Sequence, residues 1–468
     1  MSLTFFPRAA LAGSLLLSAA LLAGCINLAP DYERPGLPVP TALPATVNGA
    51  PAEGWIAWNA LLRDERLRKV VQQSLANNRD LRVALLNIER SRALLRLADA
   101  DRWPTVAAAI NGTRAPSTTT GDQVNSFQTG LQVTSYELDL FGRVRNVSDA
   151  AAANLLATEA GSRTVRLALV TQVVSTWFTL AADQEQLALA KQTLAGREQT
   201  LKLTELRVNV GAASDVELHG TRGLLAQAQA SVAALQRQAA LDANALALLV
   251  GQPVAGDALP TADAPLNSDA LALVPAGASS DLLLRRPDVI QAEQTLIAAN
   301  ANIGAARAAM FPRITLSGSA GVVSDSLSGL VNSGTFAWTL AGSAAMAIFD
   351  AGRNQANVKV AEVGRDIAVA QYEKAIQSAF REAADALVAQ ATWRDQVNAQ
   401  LRLQDSERDR LRLTRMRYEG GAANLVELLD SERSLAAADQ ALVLARLGEL
   451  LNRLALYKAL GGEERAAS

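Results

Sequence analysis

Apolar residues recur at helical spacing in one part of each half of the chain and alternate like a strand in the next part. From Asp64 to Asp101 they return every three or four positions, which predicts a helix. The residues that set this period are Leu67, Val70, Val71, Leu75, Leu81, Leu85 and Ile88. Pro104 follows, and because a proline ring clashes with the preceding helical turn, we expect the helix to end before it.

Two β-hairpins are predicted after such helices, over 104–141 and 312–350. The alternation is clearest in the second hairpin, where one face carries Ile314, Leu316, Ala320 and Val322. In the strand at 126–140 the apolar face changes side between Val133 and Tyr136. Since side chains alternate strictly along a regular strand, this change predicts a β-bulge.

Long proline-free stretches follow each hairpin, between Gly142 and Gly211 and between Gly352 and Gly420. At about 1.5 Å per residue, each predicted helix reaches roughly 100 Å, far beyond the usual globular helix. Glycine ends helices in a left-handed conformation, so we expect the chain to turn at Gly211 and at Gly420-Gly421. The returning helices are predicted over Ser214 to Val250 and Leu425 to Leu460.

The two halves of the chain are related by a displacement of about 210 residues. The aligned landmarks are Gly142-Arg143 with Gly352-Arg353, Arg207 with Arg417, Gly211 with Gly421, and Val216-Glu217-Leu218 with Val426-Glu427-Leu428. Trp103-Pro104 aligns with Phe311-Pro312 at a displacement of 208. We interpret this order of Gly, Pro and Arg as a tandem duplication. The strand-helix corners are then placed at Pro104, Gly142, Arg143, Pro312, Gly352 and Arg353.

Two β-hairpins in one chain are too few to close a barrel. An apolar outer face opposite a face of Thr, Ser and Ala is the pattern of a membrane barrel. Small membrane barrels begin at about eight strands, so a barrel built from four strands per chain requires an oligomer. Strands of soluble β-sandwiches alternate in the same way, so the pattern by itself leaves both architectures open.

The single cysteine, Cys25, follows an N-terminal apolar segment. Arg8 precedes a run from Ala9 to Ala23 and the small Gly24, which is the pattern of a secretory signal peptide. One cysteine makes no internal disulfide. Leu22, Ala23, Gly24 and Cys25 resemble a bacterial lipobox, which implies lipidation of Cys25, and Ile26 rather than Asp after it implies the outer membrane. The alternative is an incidental cysteine in a discarded leader.

Composition excludes several classes of function. The net charge is -2, so the basic face that nucleic-acid binding requires is not indicated. Beyond the leader no uncharged apolar run reaches the roughly 18 residues of a transmembrane helix. The one histidine, His219, is expected to be a surface or packing residue. No pattern of a catalytic site, a metal site or a cofactor site is present, so we predict neither an enzyme nor a cofactor other than the covalent lipid.

Several motifs in a fixed order resemble the outer-membrane efflux lipoproteins of the TolC type, NodT branch. They are Pro30-Asp31-Tyr32-Glu33-Arg34-Pro35, Asn77-Asn78-Arg79-Asp80-Leu81, Arg285-Arg286-Pro287-Asp288, Phe311-Pro312, Phe349-Asp350-Ala351-Gly352-Arg353, Asn424 to Arg433 and Tyr457-Lys458-Ala459-Leu460-Gly461. The resemblance covers the whole mature chain. It departs at Glu65, where the family often has proline, so only a local turn is in doubt.

The resemblance implies a mostly α fold with a membrane β-barrel part. In it a homotrimer closes a barrel of twelve strands, four from each chain, continued by a long periplasmic α-helical barrel. It further implies a channel that passively exports small molecules. Its partners would be a periplasmic adaptor protein, an inner-membrane pump of the resistance-nodulation-division type and outer-membrane lipid, without nucleic acid.

The sequence divides into six predicted segments. They are a signal peptide at 1–24, a lipid-anchored extended arm at 25–60, a first repeat at 61–251, a proline-rich linker at 252–286, a second repeat at 287–461 and a C-terminal tail at 462–468. The arm and the linker are expected on the outside of the helical body.

The resemblance also nominates a periplasmic gate at the helix-return turns. The gate residues it implies are Asp215, Tyr418, Glu427 and Asp430. Ala423 stands where the best-known member has an arginine, so Arg207 or Arg417 is the expected locking partner. The turns themselves are candidates for adaptor docking, through Gly211, Ser214, Gly420, Gly421 and Asn424. The alternative is that these are ordinary solvated charges at helix ends.

Two other functions stay open at this point. One is an outer-membrane tube for secretion of protein or polysaccharide. The other is a lipid-anchored coiled-coil spacer without a pore, because a solvated coiled coil shows the same apolar stripe as a helix in a tube.

Overall fold

The computed structural model describes residues 26–43, 57–262, 264, 266–272, 280–332 and 334–462. The helices are α1 Trp58–Leu61, α2 Glu65–Asn77, α3 Arg79–Ala100, α4 Arg143–Asn209, α5 Asp215–Val250, α6 Pro287–Ala308, α7 Gly329–Asn332, α8 Arg353–Glu419 and α9 Leu425–Ala459. The strands are β1 Val106–Pro116, β2 Gln123–Leu138, β3 Arg313–Ser324 and β4 Thr335–Ala345. Short 3-10 turns at Gly256–Ala258, Ser268–Ala270 and Ser280–Arg285 occupy the predicted linker.

The prediction of a single helix from Asp64 to Asp101 is wrong, because the structure has two helices there with a break at Asn78. The backbone of Asn78 is extended, with φ -62° and ψ 133°. Its Oδ1 accepts a hydrogen bond from Leu81 N at 2.9 Å, and its Nδ2 donates to Leu249 O at 2.9 Å. An asparagine that caps the following helix therefore interrupts an apolar period that continues on both sides.

The element lengths confirm the predicted duplication. Helices α4 and α8 both contain 67 residues, and α3 and α6 both contain 22. Helices α5 and α9 contain 36 and 35 residues. A helix of 67 residues is about 100 Å long. Helix α4 is apolar and long enough by composition to cross a membrane, but 56% of its most apolar window is buried in protein, as in a core helix.

The four strands form one antiparallel sheet in the order β1-β2-β3-β4. Val133 pairs with Gly318 and Tyr136 pairs with Leu316, so two residues of β2 lie opposite one residue of β3. This is the predicted bulge. Among the described strands, β1 and β4 each pair on one side only, which leaves two open edges.

Two glycines let β2 and β3 approach closely just beyond the bulge. Gly130 and Gly321 are register partners. A Cβ on Gly321 would lie 2.0 Å from the carbonyl oxygen of Thr129, which is too close for any side chain. The strand pair at the centre of the sheet therefore depends on these glycines.

The described residues form two compact units, which lie within 1–36, 87–159 and 291–372, and within 37–86, 160–290 and 373–468. The first unit contains the sheet. The second contains two apolar clusters, around Leu187 and Val232 and around Val397 and Leu442. These positions match under the 210-residue displacement. Both repeats contribute segments to both units, so the division into units does not test the predicted repeat boundaries.

Candidate functional site

The two helix-return turns have the same backbone conformation. Gly211 and Gly421 have φ values of 75° and 74°, in the left-handed region that favours glycine. Ala212 N donates to Arg207 O, and the equivalent Ala422 N donates to Arg417 O, both at 2.7 Å. These bonds close the ends of α4 and α8, because they satisfy carbonyls that lack a partner within the helix.

The returning helices begin with equivalent side-chain caps. Ser214 Oγ accepts a hydrogen bond from Glu217 N at 3.2 Å. Asn424 Oδ1 accepts from Glu427 N at 2.9 Å. Such caps satisfy a free N–H at the first turn of α5 and of α9. All five residues nominated for docking thus have a local structural role. Two are caps, Gly211 and Gly421 are left-handed, and Gly420 N donates to Met416 O at 3.0 Å.

Arg207 and Arg417 brace the two turns in the same way. Arg207 Nη2 donates to Ala212 O at 3.3 Å, and Arg417 Nη2 donates to Ala422 O at 3.1 Å. Each guanidinium also lies near the glutamate at the third position of the returning helix. The N···O distances are 3.4 Å from Arg207 to Glu217 and 3.9 Å from Arg417 to Glu427.

Tyr418 breaks this equivalence between the two repeats. Arg207 Nη1 donates to the Tyr418 hydroxyl at 3.0 Å, which joins the end of α4 to the end of α8. The position equivalent to Tyr418 in the first repeat is Val208, which offers no acceptor. The nominated pair Arg207 and Tyr418 is therefore brought together by the fold.

Asp430 binds arginines that the sequence did not nominate. Its Oδ2 accepts from Arg410 Nη2 and its Oδ1 accepts from Arg433 Nη2, both at 2.7 Å. These two guanidinium groups hold the pKa of Asp430 below its usual value. The expected partners were Arg207 and Arg417, and neither contacts Asp430 among the described residues.

Sequence reasoning missed Arg410 and Arg433, although a signal was present. Five arginines follow one another at short spacing along the last turns of α8, namely Arg408, Arg410, Arg412, Arg415 and Arg417. The spacing does not say which of them faces α9. Asp215, in contrast, is exposed and makes no hydrogen bond or ion pair with any residue that the structure describes.

The strand-helix corners lie where they were predicted. Pro312 directly precedes β3, and Gly142 and Gly352 have φ values of 73° and 83° just before α4 and α8. Arg143 makes a bidentate pair with Glu137 of β2 at 2.7 and 2.8 Å. Pro104 lies between α3 and β1, and Arg353 is the first residue of α8.

Cys25 lies outside the described residues, but the arm that follows it is fixed. Ile26 N donates to Leu140 O at 3.1 Å, next to the end of β2. Arg34 Nε and the Tyr32 hydroxyl both donate to Glu293 of α6, at 2.6 and 3.1 Å. Burial, reinforced by the Glu293 carboxylate, raises the pKa of Tyr32 to about 12. The part of the arm around Tyr32 and Arg34 is therefore docked against α6.

One acidic pair is half-buried between α4 and α5. Burial, and then the neighbouring Asp242 carboxylate, raise the pKa of Asp183 to about 7. Asp242 Oδ2 is buried without a donor, whereas its Oδ1 accepts from Gln238 Nε2 at 3.1 Å. A protonated Asp183 would supply the missing donor. Elsewhere in the described ranges, no group of three or more His, Cys, Asp or Glu is placed to hold a metal ion.

The family model of the outer membrane efflux proteins matches the chain over residues 70–252 and 278–462. The chain belongs to the outer membrane efflux protein family. The toluene efflux pump outer membrane protein TtgI of Pseudomonas putida is 42% identical, over 96% of this chain and 98% of the relative. The cation efflux system protein CusC of Escherichia coli is 39% identical, over 95% and 97%.

Solved structures agree with this assignment. The open-state MtrE outer membrane channel of Neisseria gonorrhoeae superposes with a TM-score of 0.84 at 37% identity, covering 93% of this chain and 98% of that one. Such neighbours are trimeric outer-membrane efflux channels, so the fold class predicted from the sequence is confirmed. The chain is an outer-membrane component of an efflux system, a transport protein whose helical part extends into the periplasm.

The acidic pair in the long helices makes stability depend on pH. When the pKa of a carboxyl group is higher in the folded than in the unfolded protein, the free energy of unfolding falls as the pH rises from the lower pKa to the higher one. For Asp183 this range is from about 4 to about 7. Asp183→Asn keeps a donor for Asp242 at every pH. We expect the variant to melt at a higher temperature than the wild type at pH 8, and the difference to vanish near pH 4. Thermal unfolding followed by circular dichroism measures this.

The matched control is Asp395→Asn, which changes an exposed aspartate on α8 and should leave the pH profile unchanged. If Asp183→Asn melts at the wild-type temperature at pH 8, the protonation of Asp183 has no role in stability.

Proposed function

We propose that this chain is the passive outer-membrane conduit of a three-part pump that exports small molecules. A periplasmic adaptor and an inner-membrane pump of the resistance-nodulation-division type would complete the assembly. One observation carries the proposal. Relatives matched along almost the whole chain belong to pumps named for toluene and for cations, at nearly equal identity. A conduit that leaves the choice of cargo to the pump accounts for such unrelated cargoes.

The two alternatives predict other behaviour. A secretion tube for protein or polysaccharide would need a macromolecular cargo, and a spacer without a pore would pass no ions. Relatives that serve efflux pumps support neither of them.

Loss of the chain should lower the inhibitory concentrations of several chemically unrelated compounds, because the pump would lose its exit. Growth inhibition across a compound panel, in a deletion strain and in the strain complemented with the wild-type gene, measures this. An unchanged panel, together with the disappearance of secreted proteins from the medium, would support the secretion alternative instead.

The helix-return turns are the proposed docking site for the adaptor. Val216 and Val426 occupy equivalent positions in the first turns of α5 and α9, and they are 82% and 74% exposed. Apolar side chains this exposed, beside Gly211 and Gly421, suit contact with the tips of helical hairpins. In a trimer the two turns of each chain present six such sites.

The same turns are the proposed gate. Symmetry gathers three copies of Asp215, Tyr418, Glu427 and Asp430 around one axis, and rings of charge with local locks are how pores are closed. The bonds from Arg207 to Tyr418 and from Arg410 to Asp430 hold the ends of the helices in one arrangement. Adaptor binding would shift a closed-to-open equilibrium that these bonds bias.

Removing the bonds from Arg207 to Tyr418 and from Arg410 to Asp430 should open the channel. We expect the double variant Tyr418→Ala with Asp430→Ala to raise the single-channel conductance of the trimer in planar bilayers. Tyr418→Phe, which removes only the acceptor hydroxyl, should produce part of the increase. Asp395→Ala on the exposed face of α8 is the control. Wild-type conductance in the double variant would remove the gate assignment.

Cys25 is the proposed site of the lipid anchor. Since Ile26 is fixed beside the end of β2, the acyl chains would enter the membrane next to the sheet. Cys25→Ser should abolish incorporation of radiolabelled palmitate. Ile26→Asp should keep the label but move the protein to the inner-membrane fraction. Labelling that survives Cys25→Ser would place the lipid elsewhere.

A further inference from the structure

Ion pairs at equivalent positions of the two helical hairpins carry opposite charges. In the first hairpin, α4 with α5, Arg222 Nη2 donates to Glu205 Oε1 at 3.3 Å. In the second, α8 with α9, Arg415 Nη2 donates to Glu432 Oε1 at 3.3 Å. The 210-residue displacement places Glu205 on Arg415 and Arg222 on Glu432. The duplication has kept the ion pair and reversed its polarity.

A third charge joins the two hairpins within the chain. Arg197 of α4 donates to Glu432 Oε2 of α9 at 2.7 Å, and both side chains are shielded, at 9% and 18% exposed. The position equivalent to Arg197 is Glu407, so this charge is reversed as well. Glu407 accepts from its neighbour Arg410 at 3.2 Å. Arg222, the equivalent of Glu432, is 52% exposed in the single chain.

In a ring of three chains, each first hairpin lies between two second hairpins, one of its own chain and one of the neighbour. Within one chain, Arg197 of the first hairpin contacts Glu432 of the second. If the next contact around the ring has the same geometry, the equivalent residues meet there, Glu407 of the second hairpin and Arg222 of the next chain's first hairpin. These two charges also attract. Two first hairpins side by side would instead oppose Arg197 and Arg222. Two second hairpins would oppose Glu407 and Glu432. Like charges at such contacts disfavour the wrong partner.

We propose that Glu407 pairs with Arg222 of the partner subunit, so that the contact between chains repeats the contact within each chain with its charges reversed. The ligand of this surface is a second copy of the chain, recognised by opposite charge across α8 and α5. The proposal rests on the trimeric channel of the proposed function and names the contact that orders it. It also explains why three charged positions changed sign together while the apolar positions between the helices kept their character.

Chemical cross-linking tests the contact in the full-length, membrane-extracted protein. We expect the double variant Arg222→Cys with Glu407→Cys, treated with a short bismaleimide, to give cross-linked dimers and trimers on denaturing gels. The matched control is Arg197→Cys with Glu432→Cys, which has the same helix-to-helix relation within one chain. It should cross-link within the monomer, as seen by mass spectrometry, and each single-cysteine variant should give neither product.

Charge reversal gives an independent test. Arg222→Glu and Glu407→Arg should each lower the fraction of trimer that survives mild heating in detergent, and the two together should recover most of the loss. The proposal is overturned if the control pair cross-links, the trimer is intact and the Arg222 and Glu407 pair stays monomeric. It is equally overturned if the double reversal is no better than the worse single one. A wild-type chain that is monomeric and passes no current would instead refute the proposed function itself.

Discussion

The open edges of β1 and β4 are the constraint on which the rest of the molecule depends. A sheet edge presents backbone N–H and C=O groups, and the hydrocarbon of a membrane offers them no partner. Four strands are too few to meet each other, so the edges must be paired by further chains. Because β2 pairs with β3, the two repeats contribute one continuous segment of wall, and three such segments complete the barrel of the trimeric family.

The duplication supplies two helical hairpins that share their backbone geometry but differ in their charged and polar contacts. The left-handed glycines, the caps and the arginine-to-carbonyl bonds repeat almost atom for atom. Tyr418 and Asp430, in contrast, have Val208 and Gly220 as their equivalents, so the bond from Arg207 to Tyr418 between the hairpins and the bond from Arg410 to Asp430 within the second hairpin have no counterpart at the equivalent positions. A ring built from six hairpins of similar shape is therefore chemically threefold, and any gate made from these bonds has three copies.

The long helices form the part of this transport protein that extends into the periplasm. Their apolar clusters lie between paired helices, around Leu187 with Val232 and around Val397 with Leu442, and pack the two helices of each hairpin together there. Tyr32 and Arg34 of the N-terminal arm are docked on Glu293 of α6, and Ile26 N donates to Leu140 O next to the end of β2. In the proposed function, such a channel leaves energy and the selection of cargo to its partners.

The sequence by itself determined the type and length of the main elements, the bulge between Val133 and Tyr136 and the glycine turns. These features follow from local periodicity and from the backbone freedom of single residues. Only the tertiary structure decided that Asn78 breaks the first helix, that Asp430 binds Arg410, and that Asp183 lies beside Asp242 in a half-buried pair. In each case the partner belongs to another helix, and helix spacing specifies which face a residue is on but not which side chain on the next helix it will meet.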